Sequence, residues 1–368
     1  MNPFQIALTF IPGLGAKSIR QSLDICPDVE ELFSYSKKQL GDIFGRHQSI
    51  IDAIANRTTL PMAEKEIAEM SKYGIYTLFF NEPDYPNRLN ESGCEDTPVL
   101  LYCLGRCNLN APHSVAFVGS RKCSDYGRTT TDRIVQELVS DNTLIVSGLA
   151  YGIDTAAHTA AVNCGLTTVA VLGHGLDTLY PSQNRGLAKR ILDQGGALIS
   201  EYPLHTAINA AYCPARNRIV AALSDAVVVV ESAERGGALI TANIANSYHR
   251  EVFAVPGRLD DPLSYGCNNL IINNKAIMIR HAGDLFYQMG WSNTFNRKRQ
   301  IEQQQSLFAT LSEKEQIIVN LLTENHEMTL DEIVDKSALP LPKIAALMME
   351  LELKNVVRCL PGRIYKLK

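Results

Sequence analysis

The stretch VAFVGSRKCSDYG, Val115 to Gly127, decides how the rest of the chain is read. An apolar run ends in Gly-Ser-Arg, and polar residues then lead toward a helix. That is the layout of a strand, a tight turn and a helix start, the opening unit of a nucleotide-binding sheet. Val118 closes the strand and Gly119 lets the backbone turn. Amides at the following helix start, with Ser120 beside them, are placed to hold an anion. Arg121 adds a two-pronged contact to phosphate oxygens. The spacing is not G-x-G-x-x-G, so the dinucleotide fingerprint is absent. By itself the turn leaves three readings open: a mononucleotide that undergoes chemistry, the phosphates of a bound strand, or a plain strand-to-helix turn with a surface arginine.

Outward from this turn, apolar runs alternate with helical spacing. The expected strands are 114–119, 143–148, 167–173, 197–201, 226–231 and 251–255. Helical patterns fall between them at 130–138, 154–161, 184–194, 215–223 and 239–247. Near-continuous apolar strands alternating with helices indicate a parallel sheet buried on both faces, an α/β, Rossmann-like core. This core is expected over residues 112–291. Before it, residues 1–57 carry short helices punctuated by Pro and Gly, a SAM-like or helix-hairpin-helix-like domain. Residues 58–111 are expected to connect the two, with a helix at 62–72 and extended pieces YTLFF and VLLYCLG. After it, the polar stretch NTFNRKRQIEQQQS lies in an expected linker, 292–309. Residues 310–368 show three helical patterns and a hairpin turning at Pro361 and Gly362, the plan of a winged helix.

The composition is that of a soluble globular chain: 368 residues, 46% hydrophobic and 20% charged. A formal net charge of −4 supplies no whole-protein attraction for nucleic acid, so any such binding needs a local patch. Nine cysteines are scattered without a C-x-x-C pair, which points to reduced thiols rather than zinc or disulfides. The N-terminal MNPFQIALTFIPGLG lacks the layout of a secretory signal, and no apolar run approaches the ~20 residues of a membrane span. The expectation is a cytoplasmic protein with no membrane contact, no metal and no cofactor.

Further motifs follow the strands, at the edge where open α/β sheets bind ligands. SGLAYGID places Ser147 and Gly148 in a loop, with Asp154 as the expected helix N-cap. His158, on the same face as Asp154, reads as a buried, hydrogen-bonded histidine. GHGLDTLYPSQN offers Tyr180 for stacking, with Asn184 and then Arg185 for polar contacts. CPARNRIV opens a helix with Arg216, Asn217 and Arg218, and Tyr212 just before it presents a ring to a base. In ESAERGGALITANIA, Gly237 and Thr241 sit at a helix start whose amides can cradle phosphate. Near the N-terminus, FIPGLGAKS has the apolar-Pro-Gly-apolar-Gly pattern of a helix-hairpin-helix turn. Ala16 before Lys17 rules out a P-loop. From 310 to 368, eight Lys/Arg face nine Asp/Glu, which favours a protein-contact winged helix over a DNA reader.

In order along the chain, DYP (84–86), VGSR, SGLAYGID, TVAVLGHGLD, GGALISEYP, PARNRIVAAL, LITA, REVFAVPG and SYGCNNLI resemble the DprA/Smf family of DNA-processing proteins. The resemblance covers nearly all of the core, and the flanking blocks resemble the N-terminal helical domain and winged helix of many members. It implies binding of single-stranded DNA, its protection, help in loading the RecA recombinase during natural transformation, and a homodimer. It also implies phosphate contact at Gly119, Ser120 and Arg121, and strand contact at Arg216, Asn217, Arg218 and Arg185. Two departures stand out. Arg235, Gly236, Gly237 and Ala238 replace a frequent Ser-Gly-Ser, and Cys213 beside Tyr212 replaces a frequent Phe. No nucleophile–base pair stands out, so a mediator without a chemical step is expected. The alternative is a phosphoribohydrolase-like enzyme acting on a nucleotide through Glu231 or Asp154.

Overall fold

The computed structural model describes residues 1–291 and 312–367, apart from Ser92, Glu95, Ala210, His326, Ala338, Asn355 and 361–363. The expected linker and the Pro361-Gly362 turn lie outside the described residues. The chain divides into two compact units, Met1–Ser292 and Asn293–Lys368.

The first unit is built on one nine-stranded sheet. Its strands are β1 (Tyr76–Phe79), β2 (Leu100–Gly105), β3 (Ser114–Gly119), β4 (Leu144–Ser147), β5 (Thr168–Leu172), β6 (Ala197–Ser200), β7 (Ala226–Val230), β8 (Glu251–Ala254) and β9 (Ile277–Met278). Across the sheet they run β1-β2-β6-β5-β4-β3-β7-β8-β9. From β6 through β9 every neighbouring pair is parallel, while β2 meets β6 and β1 meets β2 antiparallel. Val and Ile fill the central strands because both faces are covered: β3, β5 and β7 are buried along almost their whole length.

The connections are helical. They are α1 (Pro3–Thr9), α2 (Ala16–Ile25), α3 (Val29–Leu32), α4 (Lys37–Phe44), α5 (Gln48–Ala55) and α6 (Leu60–Tyr73) before the sheet. Within it come α7 (Asp125–Glu137), α8 (Ile153–Cys164), α9 (Arg185–Asp193), α10 (Tyr212–Ala222), α11 (Gly237–Ser247), α12 (Tyr265–Ile272) and α13 (Ala282–Gln288). The six expected strands are all present. The sequence reading had no counterpart for β9, α12 or α13.

The segment expected to connect, 58–111, supplies α6 and two strands of the sheet. YTLFF and VLLYCLG are too short to announce a partner, and they pair with each other and with β6. The segment is also tied down by charge. Arg88 donates through Nε to Asp225 at 2.7 Å and through Nη2 to the carbonyls of Ala111 and Pro112. The N-terminal helices share one apolar core with the sheet, running from Ile6 and Leu32 through Tyr102 to Ala170 and Leu198. The FIPGLG turn joins α1 to α2 with Ile11 and Leu14 buried. Arg20 on α2 lies over the Phe80 ring at 4.7 Å and donates to Asn90 and Thr97.

The second unit has helices Glu313–Asn325, Leu330–Ser337 and Leu341–Leu353 against a three-stranded antiparallel sheet. Ile318, Ile333, Ile344 and Leu351 meet in its core. Three helices and a small sheet match the winged-helix plan.

Candidate nucleic-acid interface

β3 and β7 are neighbours in the sheet, yet the chain leaves them in opposite directions. From β3 it winds through β4 and β5 to β6, whereas from β7 it winds through β8 to β9. In open α/β sheets such a reversal opens a crevice at the carboxyl ends of the strands. A cleft of about 360 Å³ lies there. One wall is the Gly119–Ser120–Arg121 turn after β3. Ser232 and Ala233 after β7, with Gly236 to Thr241 at the start of α11, form another, and Cys213, Arg216 and Asn217 of α10 form a third.

The turn is held by backbone. The Ser120 amide donates to the Glu231 carbonyl at 2.8 Å, and the Ile153 amide donates to the Ser120 carbonyl at 3.2 Å. Gly152 makes this approach possible: its φ is +76°, and a Cβ there would lie 2.0 Å from the Ser120 oxygen. Ser120 Oγ accepts from the Lys122 amide at 3.1 Å. Arg121 is exposed at the mouth, with no hydrogen bond or ion pair among the described residues. Across the cleft, the Leu239 amide of α11 donates to the Gly236 carbonyl at 3.1 Å, while the Gly237 and Ala238 amides before it have no carbonyl partner among the described residues, and Gly236 as N-cap offers no side chain to fill them. Gly237 has open space where a Cβ would be, and Thr241 is buried in the wall. A free guanidinium facing a helix N-terminus is a site for an anion.

Beneath the mouth lies a buried polar layer. Arg216 is 6% exposed and donates through Nη1 to the carbonyls of Gly148, at 2.5 Å, and Val171. Its guanidinium occupies the place where a side chain on residue 148 would begin, so any larger residue there displaces Arg216 from its carbonyl partners. Asp154 is not the helix cap expected from its position. Gly152 caps α8, and Asp154 turns back to accept from the amides of Gly148 at 3.1 Å and Ala150 at 3.3 Å. Burial raises the Asp154 pKa, opposed by Arg216 and by those two amides. Leu149 and Glu231 flank the cleft at φ +56° and +54°, a left-handed backbone that the surrounding contacts must stabilise.

Not every expected residue reaches the cleft. Ser147 is buried and donates to the Phe117 carbonyl at 2.7 Å. Asn184 is buried and donates to the Leu149 carbonyl at 2.8 Å and Thr155 Oγ1 at 2.9 Å, bracing the loop after β4. Arg185 starts α9, exposed and away from the cleft wall. Arg218 is two positions from Arg216 and so points to the far side of α10. There it forms a two-pronged ion pair with Glu201. Tyr212 stacks on Tyr202 with centroids 4.6 Å apart, leaving at most one ring face for a base. His158 is buried, with Nδ1 2.7 Å from Thr168 Oγ1, and burial lowers its pKa to about 3. Ala150, Ser232 and Ala233 line the cleft but were not singled out from sequence. Their position just after strand ends was the available signal.

The family model for DNA recombination-mediator protein A matches residues 76–290, more than half of the chain. The chain belongs to the DprA/Smf family. The DprA winged helix domain model matches residues 303–363. The protein Smf of Synechocystis is 31% identical over 99% of this chain and 98% of its own length. The solved DNA processing protein A of Streptococcus pneumoniae superposes with a TM-score of 0.65 at 33% identity, covering 78% of this chain and 98% of that one. DNA processing protein A of Helicobacter pylori, whose structure describes its single-stranded DNA binding mode, gives a TM-score of 0.52 at 30% identity. It covers 60% of this chain and 97% of that one. Among the described residues no helix is long and apolar enough to cross a membrane.

Proposed function

We propose that the chain binds single-stranded DNA along the carboxyl edge of its sheet. One phosphate lies between Arg121 and the first amides of α11, with Asn217 alongside. The single observation that carries this is Arg121: an unengaged cation at the mouth of a cleft whose opposite wall is a helix N-terminus. Backbone amides and a guanidinium hold phosphate without reading bases, which suits a strand of any sequence. The H. pylori relative's single-stranded DNA binding supports the same reading here.

As a member of this family the chain is proposed to act in the cytoplasm as a homodimer, handing the strand to a RecA recombinase during transformation or recombination. The winged-helix unit, with its near-neutral charge, is proposed to contact protein. No chemical step is assigned. Glu231, one acid a nucleotide hydrolase would need, is 2% exposed and accepts from the Ser124 amide at 2.8 Å and the Ser124 hydroxyl. Asp154, the other, is engaged by two amides.

The test is fluorescence anisotropy of a labelled oligothymidine across a salt series. Wild type binds, and Arg121→Ala binds weakly with a log–log salt slope shallower by about 0.7. No binding by wild type at low salt, or turnover of nucleoside monophosphates, overturns the reading.

A further inference from the structure

The helix Leu341–Leu353 of the second unit is apolar on two opposite sides. Ile344, Leu347, Met348 and Leu351 face the core of the unit. Pro342, Ala346, Met349 and Leu353 lie on the other side and are all exposed, Met349 at 66% and Leu353 at 80%. Their intervals of four, three and four residues place them in one stripe along the helix. A helix apolar all round is normally covered on every side, and this one is open along its outer stripe.

The intervals are those of a two-stranded coiled-coil seam, in which charged residues flank the apolar ones. Lys343 and Glu350 hold equivalent places on one flank, each one residue past a member of the stripe. Ala345 and Glu352 hold the other. Glu352 is turned back to its own unit, where its carboxylate accepts from the Cys359 amide at 3.0 Å. Lys343 and Glu350 are exposed, without an ion pair among the described residues. Lys343 also meets Lys314 from the helix Glu313–Asn325, a contact between like charges that holds its pKa below the usual lysine value. Two ammonium groups kept together favour an incoming carboxylate.

We propose that this stripe pairs with the same stripe of a second copy, the two helices running antiparallel. The partner follows from complementarity. Antiparallel pairing centred between Leu347 and Met348 sets Ala346 of one copy against Met349 of the other, and Pro342 against Leu353. A small side chain meets a long one at each level, so the helices close without a void. The same pairing carries Lys343 of each copy toward Glu350 of the other, twice over by the two-fold symmetry. Each glutamate then offsets the Lys314–Lys343 repulsion. Parallel pairing would set each long residue against its own copy and Glu350 against Ala345. Nucleic acid is a poorer occupant, since the face offers phosphates four apolar side chains and a glutamate. A helix of 13 residues buries little area, so the contact is weak and adds to the homodimer proposed above. This rests on the reading of the unit as a protein-contact module and names the partner.

The experiment uses the full chain without DNA, as an equal mixture of isotope-labelled and unlabelled protein. Carbodiimide couples a lysine to a carboxylate in direct contact, and mass spectrometry of the digest reads which chains were joined. The expected product joins Lys343 to Glu350 with one labelled and one unlabelled peptide. Sedimentation velocity over a concentration series reads the strength. Met349→Glu and Lys343→Glu are each expected to weaken self-association by about fivefold or more, and Lys343→Glu/Glu350→Lys to restore it. All three variants change exposed side chains, and far-ultraviolet dichroism equal to wild type shows that they are folded. No mixed link, with self-association equal in wild type and every variant, overturns the pairing and leaves the protein-contact reading to other partners. A loss in Lys343→Glu that the double swap does not restore overturns the antiparallel pairing. Weaker strand binding by Met349→Glu and Lys343→Glu, with self-association unchanged, overturns the pairing and the protein-contact reading together.

Discussion

Arg218 and Glu201 meet through two parallel bonds, Nη1 to Oε1 at 2.7 Å and Nη2 to Oε2 at 2.6 Å, on the side of α10 away from the cleft. Both side chains are largely shielded, at 19% and 15% exposure. Removing one partner strands the other's charge. A fully buried pair loses ~3–5 kcal/mol in that situation, and this one, partly solvated, is expected to lose about 2 kcal/mol. Arg218→Ala therefore lowers the melting temperature, while the salt slope of strand binding stays as in wild type. Arg121→Ala does the reverse. Calorimetry paired with anisotropy separates the two arginines, and a salt-slope change in Arg218→Ala would return it to the interface.

Gly152→Ala should damage fold and site together. The added Cβ meets the Ser120 carbonyl at 2.0 Å, at a φ of +76° that L residues rarely adopt. The neighbour is backbone, so the Gly119–Arg121 turn has to move. The expected cost is at least about 2 kcal/mol, with strand affinity reduced although no contacting side chain has changed. Chemical denaturation and anisotropy on the same preparation check this.

The loop after β6 is fastened by a histidine. His205 sets Nε2 2.6 Å from Glu69 Oε2 and Nδ1 3.1 Å from Asp177 Oδ2. Its pKa is raised, first by the hydrogen bond its ring donates to Glu69 and then by the charge of Asp177. A raised folded-state pKa means the stabilisation is fully present below the unfolded value of about 6.5 and fades as pH rises through the folded one. Amide exchange in residues 203–209 should therefore quicken as pH climbs above 7, beyond the intrinsic rate increase. His205→Gln should remove the pH-dependent part, and a parallel profile in the variant would refute it.

His158 has the opposite sign. Burial, aided by Arg216, lowers its pKa to about 3, so the folded protein keeps it neutral where the unfolded chain takes up a proton. Stability is intact above about 6.5 and declines as pH falls, by at most about 1.4 kcal/mol per pH unit for this one group. Urea titrations between pH 4 and 7 should show a shallower decline in His158→Gln than in wild type.

The strand–turn–helix rhythm was legible because buried parallel strands need unbroken Val and Ile, and runs such as AVVVV have few other uses. YTLF and LLYCLG read as extended, but nothing local reveals that β2 pairs with β6, nearly a hundred residues on. Helix α12 was hidden because its pattern is interrupted by Asn268 and Asn269. At the site, Arg121 was legible because a residue just past a strand end faces the crevice whatever the distant partners are. The opposite commitments of Arg216 and Arg218 depend on Gly148, Val171 and Glu201, which lie up to 68 residues away in sequence.

The Arg88–Asp225 contact bears on how small a working fragment of this protein can be. Asp225 takes both Nε and Nη2 of Arg88, with Oδ2 also accepting from the Ser114 amide at 2.8 Å. A truncation begun at residue 112, where the helical rhythm of the core first declares itself, discards Arg88 and leaves that carboxylate without its counter-charge. It also strips β2 from β6 and exposes a bare row of backbone donors and acceptors, a ready template for self-association. Expression trials should therefore begin at or before Tyr76, and shorter pieces should precipitate rather than fold.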